Sequence, residues 1–206
     1  TQIGQTVLLM RNSSILLLCA IAVTITSEAA STPDAKRLDN LFGGPFELTA
    51  TDYSRVTDVS LRGKFLLVMF GYTNCPDICP LAMSIVGEAI DRLGEQANAV
   101  QPVFITVDPE RDTPQKLGEY AKSFHPRFLM LSGSEKEIAA VAKAYRVHRS
   151  KYALSAQGAD DSSYGVDHGS LIYLIGPDGK FRTIFPHGTS AEEISQHLRR
   201  YLERIN

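Results

Sequence analysis

Phe65-Leu66-Leu67-Val68-Met69-Phe70 runs directly into Gly71-Tyr72-Thr73-Asn74-Cys75-Pro76-Asp77-Ile78-Cys79-Pro80. The first six residues are an unbroken apolar run of strand length, the pattern of a strand buried on both faces of a sheet. After Pro80 the period changes: Ala82, Val86, Ala89, Ile90, Leu93 and Ala97 fall on one helical stripe. The two cysteines therefore sit at a strand-to-helix junction. Each is followed by proline, and a residue before proline is pushed out of the helical region. The spacing predicts a helix that begins at Pro80, a tolerated first position. Cys79 would be its N-cap and Cys75 would lie in the turn before it.

Two more apolar runs follow, at residues 103–107 (VFITV) and 171–175 (LIYLI). Gly176-Pro177-Asp178-Gly179 joins the second of these to Phe181–Phe185 as a hairpin. Thr113-Pro114 opens a helix with Leu117, Tyr120, Ala121 and Phe124 facing inward. Ser134 with Glu137, and Ser190 with Glu193, are capping boxes that start two further helices. Phe46-Glu47-Leu48-Thr49 reads as a short early strand, and Leu61-Arg62-Gly63-Lys64 as a turn. Buried strands alternating with helices, closed by a hairpin and a last helix, predict an α/β protein. The expected architecture is a central mixed sheet flanked by helices with a short N-terminal β extension, an order compatible with a thioredoxin-like fold.

With 206 residues, 44% of them hydrophobic, the chain can bury one domain of ordinary size. A net charge of −2 and scattered Lys and Arg carry no electrostatic footprint for nucleic acid. Met10-Arg11, the apolar run at residues 15–26 and the small residues at 27–31 follow the order of a secretory signal. That run is short of the ~20 apolar residues a membrane span needs. The expected organisation is a leader over residues 1–30, cleaved or kept as an anchor, a linker over 31–45, and a domain over 46–206. Cys19 would leave with a cleaved leader. One remaining close pair, Cys75 and Cys79, is not a disulfide scaffold, which carries several pairs at wide spacing.

In a regular helix, residues four apart keep their Cβ atoms ~5–6 Å apart, whereas a disulfide wants ~3.5–4.5 Å. A turn held by two prolines lets the sulfurs approach for either a disulfide or a shared metal. A helix N-terminus favours negative charge, so both thiols are expected to ionise more easily than a free cysteine. Two thiolates select Cu(I) over hard ions, with Zn(II) the other candidate. Of the five histidines, the pattern gives a modest preference to His168, in Val166-Asp167-His168-Gly169-Ser170, read as a loop just before the strand at 171–175. His125, His148, His187 and His197 read as solvated or capping side chains. Asp167 is read either as a group orienting His168 or as a turn carboxylate, and Asp77 as a solvated turn residue. Asp108 and Arg111, in a loop at a strand's C-terminal end, read as an ion pair that stabilises that loop.

Phe70-Gly71-Tyr72-Thr73, the Cys75-Pro76-Asp77-Ile78-Cys79-Pro80 loop and Val107-Asp108-Pro109-Glu110-Arg111-Asp112-Thr113-Pro114 occur in that order. Tyr145-Arg146-Val147, Val166-Asp167-His168 and the segment 173–181 (YLIGPDGKF) complete the set. Together they resemble the Sco/SenC family of copper chaperones. The resemblance implies a thioredoxin-like fold that binds Cu(I) and Cu(II) through Cys75, Cys79 and His168. It also implies a role in maturing the dinuclear copper site of cytochrome c oxidase subunit II. The setting would be the periplasm or the outer face of the inner membrane, with other copper chaperones or thiol reductants as further partners. Gly169-Ser170 after the histidine departs from many relatives, which have serine first. The competing reading is a thiol–disulfide oxidoreductase in which Cys75 and Cys79 reduce the cysteines of that copper site. C-x-x-x-C spacing, Asn74 rather than tryptophan before the pair, and a histidine where a proline would stand favour the metal. A thiol peroxidase ranks last, since the loop before Cys75 has no arginine.

Overall fold

The chain was analysed as a computed structural model that describes residues 41–153 and 164–204. The leader read at residues 1–30 and residues 31–40 of the linker lie outside the described residues. Strand β3 (Phe65–Gly71) is the centre of the fold, and every one of its residues is buried. Strand β4 (Val100–Thr106) pairs with it in parallel from Phe65↔Val100 to Gly71↔Thr106. On the other side, β8 (Ile172–Ile175) pairs antiparallel with β3, and β9 (Phe181–Phe185) pairs antiparallel with β8. That is the expected hairpin.

Beyond β4 lies β5 (Leu129–Ser132), parallel to it, and then the antiparallel pair β1 (Glu47–Ala50) and β2 (Arg55–Thr57). The result is a seven-stranded mixed sheet in the order β2-β1-β5-β4-β3-β8-β9. The N-terminal extension is thus a hairpin added to the sheet edge. Strand alternation sends Phe65, Leu67 and Met69 to one core and Leu66, Val68 and Phe70 to the other. Helices α1 (Ile78–Leu93), α2 (Pro114–Ala121) and α4 (Ala191–Leu202) cover the first face with Met83, Val86, Leu117, Ile194 and Leu198. Helix α3 (Glu135–Ala144) covers the second with Ile138 and Val141. The expected thioredoxin-like layering is what forms. No helix among the described residues is long and apolar enough to cross a membrane.

The helix starts follow local chemistry. Thr113 accepts from the Lys116 amide, and both capping boxes, Ser134–Glu137 and Ser190–Glu193, are made in both directions. Three expectations need correction. Helix α1 starts at Ile78 with Asp77 as N-cap, so Cys79 is its second residue and Pro80 its third. The first N–H groups of a helix have no intrahelical partner, so a proline there removes no bond. The first bond comes from the Leu81 amide to the Asp77 carbonyl, 3.2 Å. Ala97 is buried as expected, but it belongs to a 3-10 turn (Gly94–Ala99) after the α-helix stops at Gly94, φ 58°. His168 is not in a loop. It is the last residue of β7 (Tyr164–His168), which pairs antiparallel with β6 (Arg149–Ala153) in a separate two-stranded ribbon.

Candidate metal centre

Strand β3 delivers the chain to Tyr72, and the loop to Asp77 turns it into α1. The Cys75 amide donates to the Tyr72 carbonyl, 3.1 Å, which folds the loop back on itself. Asp77 makes no side-chain cap. The role passes to sulfur: the Cys79 amide donates to Cys75 Sγ at 3.4 Å, within the first turn of α1. Cys75 is half-buried and Cys79 is buried, and both are free thiols. From the ribbon, His168 Nε2 reaches to 3.4 Å from Cys79 Sγ. His168 Nδ1 lies 3.0 Å from the Gly169 carbonyl. A carbonyl can only accept, so Nδ1 carries a proton and Nε2 is the nitrogen turned toward the sulfurs.

The two sulfurs and the imidazole nitrogen all lie within 4.8 Å of one another. Metal–sulfur and metal–nitrogen bonds of about 2.0–2.3 Å place neighbouring donors roughly 3.5–4 Å apart. The cluster therefore fits one small, soft ion with little movement. The other four histidines stay away. His125 pairs with Asp91 at 3.2 Å, and His148, His187 and His197 are exposed. Among the described residues, no other group of His, Cys, Asp and Glu offers three converging donors. Asp77 and Asp167 are exposed and outside the cluster. Since the Gly169 carbonyl occupies Nδ1, Asp167 does not orient the ring.

The electrostatics divide the pair. The thiol of Cys79, hydrogen-bonded to Cys75, stabilises a Cys75 thiolate and brings its pKa down to about 3, against the opposing cost of burial. His168 and the amides of Cys79 and Asp77 add to the effect. Cys79 moves the other way, pushed up by the neighbouring Cys75 and then by burial. The expectation that both thiols ionise readily is thus corrected: a buried thiol beside a negative sulfur keeps its proton. Burial works against the His168 cation, but the Cys75 sulfur and the Gly169 carbonyl outweigh it and the ring is more basic than usual. Without a metal, the site is one half-buried thiolate, one buried thiol and one imidazole.

Several supporting residues escaped the sequence reading. Gly71 is one: a Cβ there would stand 2.6 Å from Cys79 Sγ and 2.8 Å from the Phe104 ring. No side chain fits while that sulfur keeps its place. Asp112 is another. It is fully buried and accepts from the Thr73 amide (3.0 Å), the Thr73 hydroxyl (2.6 Å) and the Thr106 hydroxyl (2.7 Å). That ties the cysteine loop to the end of β4. The expected ion pair is present, with Arg111 Nε donating to Asp108 Oδ2 at 2.5 Å. Tyr72 sets the edge of its ring against His168, centroids 5.7 Å apart.

Two free thiols and an imidazole gathered at the helix end of a thioredoxin-like sheet form a donor set of the kind that holds a soft metal ion. The SCO1/SenC family model matches residues 34–203, and the chain belongs to that family. It is 46% identical over 140 residues to an SCO1 homologue of Arabidopsis thaliana mitochondria, covering 68% of this chain and 40% of that protein. It is 38% identical over 170 residues to the human mitochondrial SCO1 homologue, covering 80% and 55%. An SCO2-like protein of Rickettsia prowazekii matches at 41% over 154 residues, 75% of this chain and 74% of that one. The chain thus spans about half the length of the mitochondrial relatives. Among solved structures, copper-bound ScoI of Bradyrhizobium japonicum superposes with a TM-score of 0.71 at 43% identity, covering 78% of this chain and 99% of that one. Copper-bound yeast Sco1 gives 0.68 at 33%, covering 80% and 88%.

Proposed function

We propose that the protein binds copper through Cys75, Cys79 and His168 and delivers it to the dinuclear copper site of cytochrome c oxidase subunit II. The observation that carries this reading is the convergence of two sulfurs and an imidazole nitrogen within 4.8 Å. Soft thiolates suit Cu(I), and imidazole makes the site acceptable to Cu(II) as well. Two copper-bound relatives share the fold at 33% and 43% identity. The relative BsSco, 25% identical, is described as a member of the Sco family of cytochrome c oxidase assembly proteins, which supports the choice of target. The site opens on a cleft of about 600 Å³ lined by Cys75, Pro76, Ile78, Tyr152 and His168, so a partner can reach the exposed sulfur.

The test is titration of reduced protein with each copper ion. His168→Ala is expected to weaken Cu(II) binding by at least about tenfold and to change its spectrum, with a smaller effect on Cu(I). His125→Ala, His148→Ala, His187→Ala and His197→Ala are expected to leave the spectrum alone. An unchanged Cu(II) spectrum in His168→Ala assigns the third donor elsewhere. Export goes with this reading, to the periplasm or the outer face of the inner membrane. The native protein is expected to begin near Ala30 or Thr32 if the leader is cleaved, and N-terminal sequencing reads this directly. A start at Met10 in a membrane fraction means a retained anchor instead.

One observation favours thiol–disulfide exchange as a second activity of the same pair. A half-exposed thiolate at Cys75 beside a buried thiol at Cys79 is the arrangement of an attacking and a resolving sulfur. Rapid reduction of model disulfides, with copper binding indifferent to every histidine, decides for that reading.

A further inference from the structure

Among the described residues, the strand that carries His168 pairs with β6 and makes no ladder with the seven-stranded sheet. Val166 anchors its middle in the second core, and the rest of its hold comes from its two ends. Three residues, Gly169 to Leu171, connect it to β8; Gly169 borders open space, while Leu171 packs against the second core. The exposed pair Lys151–Glu110 reaches from β6 to the loop after β4 at 2.6 Å, with side chains 45% and 61% exposed. Such pairs contribute little. At the far end of β7 the contacts are of another kind.

Tyr164 donates its hydroxyl to Asp108 Oδ1 at 2.8 Å. Arg111 Nε donates to the other oxygen of Asp108 at 2.5 Å, and Arg111 Nη1 donates to the Tyr164 carbonyl at 2.9 Å. The guanidinium also lies 3.6 Å from the centroid of the Tyr164 ring. These bonds close a ring: phenol to carboxylate, carboxylate to guanidinium, guanidinium back to the backbone of the same tyrosine. Asp108 is fully buried, so its bonds are not weakened by solvent. Only the planar fork of arginine can serve the carboxylate, the carbonyl and the ring face together. Tyr72 stands between this clasp and the imidazole, its ring 5.7 Å from the Arg111 guanidinium and 5.7 Å from the His168 ring. The loop that supplies Asp108 and Arg111 also supplies Asp112, which grips Thr73 in the cysteine loop. One short segment, residues 107–113, therefore touches both halves of the site.

We propose that Arg111 and Tyr164 are positioning residues for the third donor: their clasp with Asp108 fixes β7 and so sets the distance from His168 Nε2 to the sulfurs. The inference rests on the reading that the three donors share one copper ion. Its consequence is selective. A copper state that uses the imidazole depends on the clasp, and one held by the two sulfurs alone does not.

Tyr164→Phe keeps the ring under the guanidinium and removes the hydroxyl bond. Arg111→Lys keeps the charge and removes the fork. Lys122→Ala, which breaks an exposed pair with Glu119 at the other side of the fold, is the control. In reduced, metal-free protein, amide hydrogen exchange is followed in β7, with β3 and β8 as internal references; Cu(I) and Cu(II) affinities are then measured by competition. Both clasp variants are expected to speed exchange in β7 alone and to weaken Cu(II) about tenfold, leaving Cu(I) within about twofold, the scale of one lost hydrogen bond to a charged group. The control is expected to change neither. Unchanged β7 exchange and Cu(II) affinity in both variants overturns the proposal. So do equal losses of Cu(I) and Cu(II), or faster exchange shared by β3 and β8, since those mark general destabilisation. If the unaltered protein takes up no copper, the functional reading falls, and the exchange measurement alone still decides whether the clasp orders β7.

Discussion

Serine at either Cys75 or Cys79 is expected to lower Cu(I) affinity about a thousandfold. The scale comes from zinc-finger sites, where four donors together supply ~10–16 kcal/mol, or roughly 2.5–4 kcal/mol for each, and a thousandfold is the upper end of that range. A hydroxyl is a hard, neutral ligand and recovers little of this with a soft ion. The two variants are expected to differ in their side effects. Cys75→Ser removes the negative sulfur that accepts the Cys79 amide at the end of α1. Cys79→Ser places a hydroxyl in the buried space beside Gly71 and Phe104, within reach of Cys75 and His168. Oxidation to a Cys75–Cys79 disulfide removes both thiolates at once and is expected to abolish binding until a reductant restores it. Competition against a calibrated Cu(I) chelator measures all three. Full stoichiometric binding by the oxidised protein would sink the dithiolate site.

The same residues show where sequence reading reaches its limit. The junction at Phe65–Pro80 was legible because its signals are local: an apolar run, two prolines and a change of period. The caps at Thr113, Ser134 and Ser190 were legible for the same reason. Strand β5 was not, since its four residues are too few to separate a strand from a buried loop. Strands β6 and β7 were missed because RSKYA is exposed along most of its length, and YGVDH buries only Gly165 and Val166. The start of α1 was misplaced by a local proline rule that loses its force in the first turn of a helix. His168 could be nominated by its place before a strand, but copper as the metal came from the family resemblance. The opposite behaviour of the two thiols was out of reach, because it depends on how deeply each sulfur is buried. Asp112, Tyr164 and Gly71 act through partners tens of residues away, and no spacing announces such contacts.

Asp112→Ala is expected to cost about 3 kcal/mol, because it leaves three donors at Thr73 and Thr106 without their acceptor in a buried place. It should also release the cysteine loop and weaken binding of both copper ions. Asp112→Asn separates the bonds from the charge. With its oxygen in the place of Oδ2, the amide still accepts from the Thr73 amide and the Thr106 hydroxyl, and its nitrogen can donate to a rotated Thr73 hydroxyl. The fold and the site should survive. What changes is the response to pH. Burial raises the Asp112 pKa above the ordinary carboxylate value, and the hydrogen bonds from Thr73 and Thr106 only partly oppose it. A carboxyl with a raised folded-state pKa keeps its proton longer in the folded chain than in the unfolded one. Stability should therefore fall as pH rises from the unfolded value through the raised one, and level off above it. The Asn variant cannot titrate and should lack this slope. Urea midpoints of the two proteins across that range, taken as a difference, cancel the remaining carboxyls, including Glu137, held down to about 2 by its Ser134 cap and Arg55. A difference that stays flat from acid to neutral pH would mean that Asp112 is ionised throughout, and that the ties to Thr73 and Thr106 outweigh its burial.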